Sequence, residues 1–360
     1  MNSFSGPKNT TVFGENAYVN LNNFLEQYSP SKLFILCDEN THLHCLPYFL
    51  QQLQKIENLE IIEIESGEEN KELIVCQQLW STLSDLGGDR KSLFINLGGG
   101  VITDMGGFVA STFLRGIPFI NIPTTLLAMV DASTGGKTGV NREGIKNQIG
   151  LFKDAVLTLI DINFLKTLPQ NQFRSGLAEM LKHGLVSDSS YWFKLNDLSQ
   201  LTFDDLEELI KESIRIKSNI TQQDKEESDL RKILNFGHTL GHAIESYFIQ
   251  HPEKPTLLHG EAIAIGLILE SFLSTKCSSL KTAELENIEQ VILHSFKKVN
   301  FDKRDIEEIL KFLKFDKKNQ KGEVQFVLLS EIGKAVINQK VSEEIIFEAF
   351  QYYEQASRDH

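Results

Sequence analysis

Short runs of β-branched and aromatic residues alternate with amphipathic stretches along the first half of the chain. Residues 32–37 (KLFILC), 59–64, 92–97, 119–122 and 155–160 have the length and composition of buried strands. Between them, residues 43–53, 72–86 and 104–114 carry the apolar spacing of helices. Strands that alternate with helices predict a parallel sheet with helices on both faces. From about Asn171 the strand signals stop. Helical periodicity then dominates residues 176–183, 203–221, 235–248, 260–273, 282–295 and 304–313. One late exception, residues 324–329 followed by 335–337, predicts a small hairpin. Pro169 removes a backbone donor where the pattern changes. The expectation is therefore an α/β domain over residues 1–169 and a mainly helical domain over residues 170–360.

A chain of 360 residues is long enough for two cores. No apolar run approaches the roughly 20 residues of a membrane span. A formal net charge of −13 argues against nucleic acid or an anionic membrane surface as partner. It leaves room for a small anion held by a local group of cations. The four cysteines (Cys37, Cys45, Cys76, Cys277) form no Cys-x-x-Cys pair, which fits a reducing compartment and excludes a cysteine-rich zinc module. The first residues, MNSFSGPKN, carry neither the basic nor the apolar region of a signal peptide, so a cytoplasmic protein is expected.

Candidate chemistry concentrates in the helical half. His238-Thr-Leu-Gly-His242-Ala-Ile-Glu245 places two imidazoles on one helical face, about 40° apart around the axis. His259-Gly-Glu follows shortly, and Asn235 is the expected N-cap of the helix. A single histidine is ordinarily a satisfied core or surface residue. Three of the chain's nine in this short region point to a metal or catalytic centre. On helical spacing alone, His238 and His242 are both metal ligands.

The α/β half carries a different signal. The strand ending at Leu97 runs straight into Gly98-Gly99-Gly100-Val101-Ile102-Thr103-Asp104 and then a helical pattern. Such a turn lets backbone N–H groups approach a pyrophosphate at a helix N-terminus. The spacing is not the usual Gly-x-Gly-x-x-Gly, and a tight βα turn would explain the glycines equally well. The nucleotide reading gains from Asp38-Glu39, from Ser66-Gly67-Glu68-Glu69-Asn70-Lys71 and from Thr124-Thr125. All stand at expected strand C-termini, where doubly wound sheets bind ligands. Asp131-Ala-Ser-Thr-Gly135-Gly-Lys137-Thr-Gly-Val-Asn141, then Lys146-Asn147, reads as a long glycine- and lysine-rich loop suited to an anion.

At this point the residues match a known family. The chain resembles 3-dehydroquinate synthase in Gly98–Asp104, Arg115-Gly, Pro123–Ala128, Val130-Asp131, Gly135–Asn141 and Lys146-Asn147. The resemblance continues through Gly176-Leu-Ala-Glu179, Lys182, Leu230-Arg231, Leu234–Glu245 and His259-Gly-Glu-Ala. It covers nearly the whole chain, in order. Lys153-Asp154 departs from the Gln-Pro common in the family, and the loop from His251 to Leu258 has its own sequence.

The resemblance implies a Rossmann-like NAD-binding domain and a helical metal- and substrate-binding domain. It assigns the metal, zinc or cobalt, to Glu179, His238 and His259, and turns His242 toward substrate. The implied reaction converts 3-deoxy-D-arabino-heptulosonate 7-phosphate to 3-dehydroquinate and phosphate. It proceeds by NAD-mediated oxidation, phosphate elimination, reduction, ring opening and aldol closure. The implied phosphate ligands are Lys137, Asn147, His242 and, from the other subunit of a homodimer, Arg115. Lys182, Lys217, Arg231 and Asn235 are implied ligands of the carboxylate and hydroxyls, joined by one of Lys317 and Lys318. Glu227 resembles an active-site carboxylate of the family. The implied NAD contacts are Asp38, residues 66–71, Gly99 to Asp104, Thr124, Thr125, Asp131, Lys137, Lys146 and Phe164-Leu165-Lys166-Thr167. Three competitors stay open at this level: another sugar-phosphate cyclase, a metal-dependent polyol dehydrogenase, and a non-catalytic NAD-binding protein. The carboxylate-binding groups disfavour the first, and the metal triad disfavours the last.

Overall fold

The fold is known from a computed structural model that describes residues 10–54, 57–143, 145–196, 202–251, 253–255, 257–314 and 324–356. Two compact units divide the chain, Met1–Pro169 and Gln170–His360.

The apolar runs of the first unit build β1 (Thr10–Phe13), β2 (Leu33–Asp38), β3 (Leu59–Ile64), β4 (Leu93–Gly98) and β5 (Phe119–Pro123). Interleaved with them are α1 (Glu15–Tyr28), α2 (Glu39–His44), α3 (Leu46–Gln52), α4 (Leu73–Asp85) and α5 (Gly100–Thr112). A hairpin of β6 (Lys137–Arg142) and β7 (Ile145–Phe152) follows, then β8 (Leu157–Ile160). The six-stranded sheet has the order β1-β8-β5-β4-β2-β3, with every pairing parallel. Strands β2 and β4 are almost wholly buried, as a strand covered on both faces must be. Chain order reverses between β2 and β4. The crevice beyond their carboxyl ends is where such sheets bind ligands, and those ends are Asp38 and the glycines from Gly98.

The second unit contains α6 (Gln170–Ser187), α7 (Ser189–Lys194), α8 (Phe203–Gln223), α9 (His238–Gln250) and α10 (His259–Cys277). It continues with α11 (Thr282–Ser295), α12 (Lys303–Lys314), β9 (Phe326–Glu331), β10 (Lys334–Gln339) and α13 (Glu343–Gln355). Helix α10 is apolar on every side and buried from Ala262 to Ser274, so it forms the axis of this unit. Two backbone contacts set its neighbours. A Cβ on Gly266 would lie 1.9 Å from the carbonyl oxygen of Gly237, just before α9. A Cβ on Gly260 would lie 2.3 Å from the backbone of Ser175 in α6. Helices α6 and α9 therefore approach α10 at distances that no side chain permits.

Every strand and helix read from the apolar pattern is present, with boundaries shifted by a few residues. The helix placed over residues 43–53 is two helices broken at Cys45, and α5 begins at Gly100, directly on the glycine turn. Asn235 is not the N-cap of α9. Gly237, with φ 77°, takes that position, and Asn235 closes a 3₁₀ turn, Leu230–Asn235. Strand β1 and helices α1, α7 and α13 carried no decisive pattern. The glycine- and lysine-rich segment after Asp131 contains the β6–β7 hairpin rather than an unstructured loop; its polar, exposed β7 hid the alternation.

Replacing Gly266 by alanine is expected to cost about 1–3 kcal/mol, the usual range for overpacking. Urea denaturation would show it as a lowered midpoint. A wild-type midpoint would contradict the close α9–α10 contact.

Candidate active site

Helices α6, α9 and α10 bring six titratable groups together in the second unit: Glu179, Lys182, His238, His242, Glu245 and His259. His238 and His259 are the first residues of α9 and α10, and Glu179 lies one turn beyond Ser175 in α6. The contact between Ser175 and Gly260 is tied further by a hydrogen bond from the Gly260 N–H to Ser175 Oγ, 2.9 Å. Glu179 Oε1 then lies 3.4 Å from His238 Nε2 and 3.7 Å from His259 Nε2. His238 Nδ1 meets the Phe236 carbonyl at 3.1 Å, so that nitrogen carries the proton and Nε2 presents its lone pair. His259 Nδ1 meets Glu245 Oε2 at 3.3 Å. A metal-ligating histidine is ordinarily oriented in this way, by a carbonyl or a carboxylate at its other nitrogen.

The remaining Glu179 oxygen, Oε2, accepts from Lys182 Nζ. Oε1 is fully buried and accepts no hydrogen bond. A buried carboxylate oxygen without a donor is costly. Facing two imidazole Nε2 atoms, it marks the place of a cation, and the residues fit a divalent metal with one oxygen and two nitrogen ligands. Burial alone would raise the Glu179 carboxyl, but Lys182 and His238 outweigh it and hold the group well below the usual range. Burial would likewise lower His259, yet in the metal-free chain Glu179 and Glu245 carry it up to about 9, and a bound cation would take the place of that proton. His242 completes a ring of three imidazoles. Its ring centroid is 5.0 Å from His238 and 5.6 Å from His259, and the ligand nitrogens of all three lie within 4.8 Å of one another.

Three cations among the described residues of this unit are buried: Lys182 is 1 % exposed, Arg231 2 % and Lys217 5 %. A solvated surface charge, the ordinary place for such residues, is therefore excluded for each. Arg231 sits on a tight loop organised by Asp224 at the end of α8. Asp224 accepts the N–H groups of Ser228 (3.0 Å), Asp229 (2.8 Å) and Arg231 (3.0 Å). The Arg231 guanidinium donates to the Lys225 carbonyl at 2.9 Å. The same loop lifts Glu227 into the left-handed region, φ 60°, where it accepts from Asn235 Nδ2 at 2.7 Å. Lys317 and Lys318 lie outside the described residues.

In the first unit the expected nucleotide contacts gather at the carboxyl ends of the strands. Gly99 caps α5 without a side chain, which opens the first turn of the helix. Asp38 caps α2 through Oδ1, and Glu39 joins the next turn by accepting from Ser66 N (2.8 Å) and Ser66 Oγ (2.5 Å). Thr124 is tied to Gly98 O at 3.0 Å. Lys71 is buried and committed inward: it donates to Asp104 Oδ2 and to Asn147 Oδ1, each at 2.7 Å. Burial would lower Lys71, but Asp104 and Glu68 outweigh it, so its charge is kept. With Oδ1 of Asn147 occupied, its Nδ2 remains as a donor. Lys137 and Lys146 are exposed, as is Arg115. Phe164 and Leu165 are buried, and Asp161 caps their 3₁₀ turn while accepting from Tyr18 (2.6 Å) and Tyr48 (2.8 Å).

Sequence reasoning gave no role to Asp224, Glu245, Ser175 or Glu270. The signal for Glu245 was available: it lies seven residues after His238, on the same helical face. Glu270 was an acid inside an otherwise apolar helix.

The chain is similar over most of its length to known proteins. Residues 61–175 match the family described as 3-dehydroquinate synthase N-terminal, and residues 176–319 the one described as 3-dehydroquinate synthase C-terminal. A 3-dehydroquinate synthase from Parabacteroides distasonis is 40% identical over 338 residues, covering 93% of this chain and 95% of that protein. Among solved structures, 2-epi-5-epi-valiolone synthase from Streptomyces hygroscopicus subsp. jinggangensis, with NAD+ and Zn2+ bound, has a TM-score of 0.82 at 26% identity over 99% of both chains. A 2-deoxy-scyllo-inosose synthase complexed with carbaglucose-6-phosphate, NAD+ and Co2+ has a TM-score of 0.82 at 24% identity, covering 95% of this chain and 96% of that one.

The Asp224 loop is open to a direct check. The N–H of Asp229, with those of Arg231 and Ser228, holds the Asp224 carboxyl down to about 2. An unfolded aspartate titrates near 3.9, so the loop's ordering is fully present above about pH 4 and is lost as pH falls through the folded value. In Asp224→Ala the amides of residues 228, 229 and 231 are expected to exchange with deuterium faster at neutral pH, while those of α10 keep their protection. Unchanged loop exchange would contradict the role given to Asp224.

Proposed function

This chain belongs to the 3-dehydroquinate synthase family, and from that premise we propose how its residues divide the reaction among them. The enzyme converts 3-deoxy-D-arabino-heptulosonate 7-phosphate to 3-dehydroquinate and phosphate, with NAD and a divalent metal. When bound, the metal supplies Lewis acidity at adjacent substrate hydroxyls and NAD supplies a reversible hydride acceptor.

Glu179, His238 and His259 hold the metal. The observation that carries this is the buried Glu179 Oε1, without a hydrogen bond and faced by two Nε2 atoms whose rings are oriented from behind. The family resemblance turns His242 toward the substrate, and on that ground we assign it to the substrate phosphate. Lys182, Lys217, Arg231 and Asn235 bind the carboxylate and hydroxyls. The burial of Lys182, Lys217 and Arg231 supports this, because such residues are ordinarily solvated at the surface unless they have a task inside. Glu227 accepts a hydrogen bond from Asn235, which supports its assignment as the active-site carboxylate near the substrate. Lys137 and Asn147 bind the phosphate, and the Lys71–Asn147 hydrogen bond orients the amide for that task. The α/β unit binds NAD: the open first turn of α5 receives the pyrophosphate, and Asp38, residues 66–71, Thr124, Thr125, Asp131, Lys146 and residues 164–167 line its remaining contacts. No described helix is long and apolar enough to cross a membrane. We place the enzyme in the cytoplasm, which its free cysteines support.

Chelator-stripped protein is expected to lose turnover and to regain it with zinc or cobalt. Substoichiometric NAD should then support many turnovers, with phosphate and dehydroquinate formed together and no NADH accumulating. Sedoheptulose 7-phosphate lacks the carboxylate that these residues are assigned to bind and should be a very poor substrate. Efficient cyclisation of it would favour another cyclase activity, and stoichiometric NADH release a dehydrogenase.

The enzyme works as a homodimer in which Arg115 reaches the phosphate of the neighbouring subunit. Leu114 and Arg115 both have positive φ, 50° and 72°, a strained pair that presents an exposed guanidinium. An arginine suits bidentate phosphate binding. Inactive Arg115→Ala and inactive His259→Ala, mixed under subunit exchange, should regain part of the activity, since one site of each heterodimer keeps both groups. No recovery after heterodimers are shown to form would contradict a shared site.

A further inference from the structure

The two histidines assigned to the metal open two different helices, and something must fix one helix end against the other. Glu270 lies in the middle of α10 and is completely buried. Its Oε2 accepts the N–H of Gly237 at 2.6 Å, and its Oε1 accepts the N–H of Leu240 at 3.0 Å. These donors are the N-cap residue and the third residue of α9. The first turn of a helix leaves its N–H groups without intrahelical partners, and a Ser, Thr, Asp or Asn at the N-cap ordinarily supplies one. Helix α9 starts instead on a glycine and has no side-chain cap of its own. Its cap comes from the neighbouring helix, and the negative charge lies at the positive end of the α9 dipole. That pairing is what makes a carboxylate tolerable inside the apolar axis of the unit.

The capped N–H groups bracket His238. Gly237 precedes it directly, and the close approach of Gly266 to the Gly237 carbonyl fixes the same peptide from the other side. We propose that Glu270 is a positioning residue for the metal centre: it clamps the start of α9 to α10, holding His238 at the separation from His259 that one metal ion requires. It acts through the backbone and touches neither the metal nor the substrate. Ligand sets of this kind lose affinity when displaced by more than about 0.5 Å. The inference rests on the reading that Glu179, His238 and His259 bind the metal.

Glu270→Gln keeps the shape of the side chain but turns an amide NH2 toward one of the two α9 donors. Glu270→Asp keeps the charge but shortens the reach by one methylene. Both would be prepared metal-free, beside wild type and His259→Ala, and checked for folding by circular dichroism. Zinc and cobalt affinities would be measured by competition with a chromophoric chelator, cobalt ligand geometry by the visible spectrum, and NAD affinity by fluorescence. The expected result is metal binding weakened by about tenfold or more in whichever Glu270 variant is folded, the range found for groups that orient metal ligands. The cobalt spectrum should be altered and NAD affinity unchanged. A folded variant with a lower melting temperature but wild-type metal affinity and cobalt spectrum would make Glu270 only a helix cap and overturn the proposal. His259→Ala separates the two levels. If it binds metal as wild type does, the metal assignment itself is wrong and the Glu270 proposal falls with it. If it has lost the metal while the Glu270 variants keep theirs, only the proposal fails.

Discussion

The contact between helix backbones at Gly237–Gly266 and Ser175–Gly260 is the constraint on which the rest of the second unit depends. Side chains normally hold packed helices about 8–10 Å apart. Where glycine removes the side chain, the ends of α9 and α10 and the middle of α6 come close enough for short side chains to meet. Glu179, His238 and His259 each stand within one helical turn of such a contact. Their convergence follows from backbone packing, and the metal assignment follows from the convergence.

A second consequence concerns charge. The chain is acidic, at −13, yet buries several cations in its second unit. Several of the buried charges have an opposite charge or a set of N–H donors: Glu179 has Lys182, Lys71 has Asp104, and Glu270 has the start of α9. Net charge therefore says little about the ligand. What matters is the local arrangement of groups already stripped of water, where an arriving anion loses the least by binding.

Much of this was legible in the sequence. The parallel sheet could be read from the apolar runs because its strands are buried on both faces and carry no polar interruption. The glycine turn and the three histidines were legible because they break local expectation. The hairpin β6–β7 was not, since its second strand is exposed and polar, so neither face was marked by apolar residues. Asn235 was misread as a cap because the left-handed Gly237 two residues later does that work. Spacing alone paired His238 with His242. It could not bring in Glu179, whose place depends on the packing of α6 against α10 some 80 residues away. The role of Asp224 was invisible because its partners are backbone N–H groups, which leave no trace in residue identity, and Glu270 was marked only as an acid in an apolar helix.

The most direct measurement is anomalous diffraction from crystals of the zinc- or cobalt-loaded enzyme. The expected result is one ion bound by a Glu179 oxygen, His238 Nε2 and His259 Nε2 at about 2.0–2.2 Å, with His242 outside coordination distance. An ion held by His238, His242 and His259, with Glu179 left to Lys182, would contradict the assignment, as would protein that binds no ion at these residues.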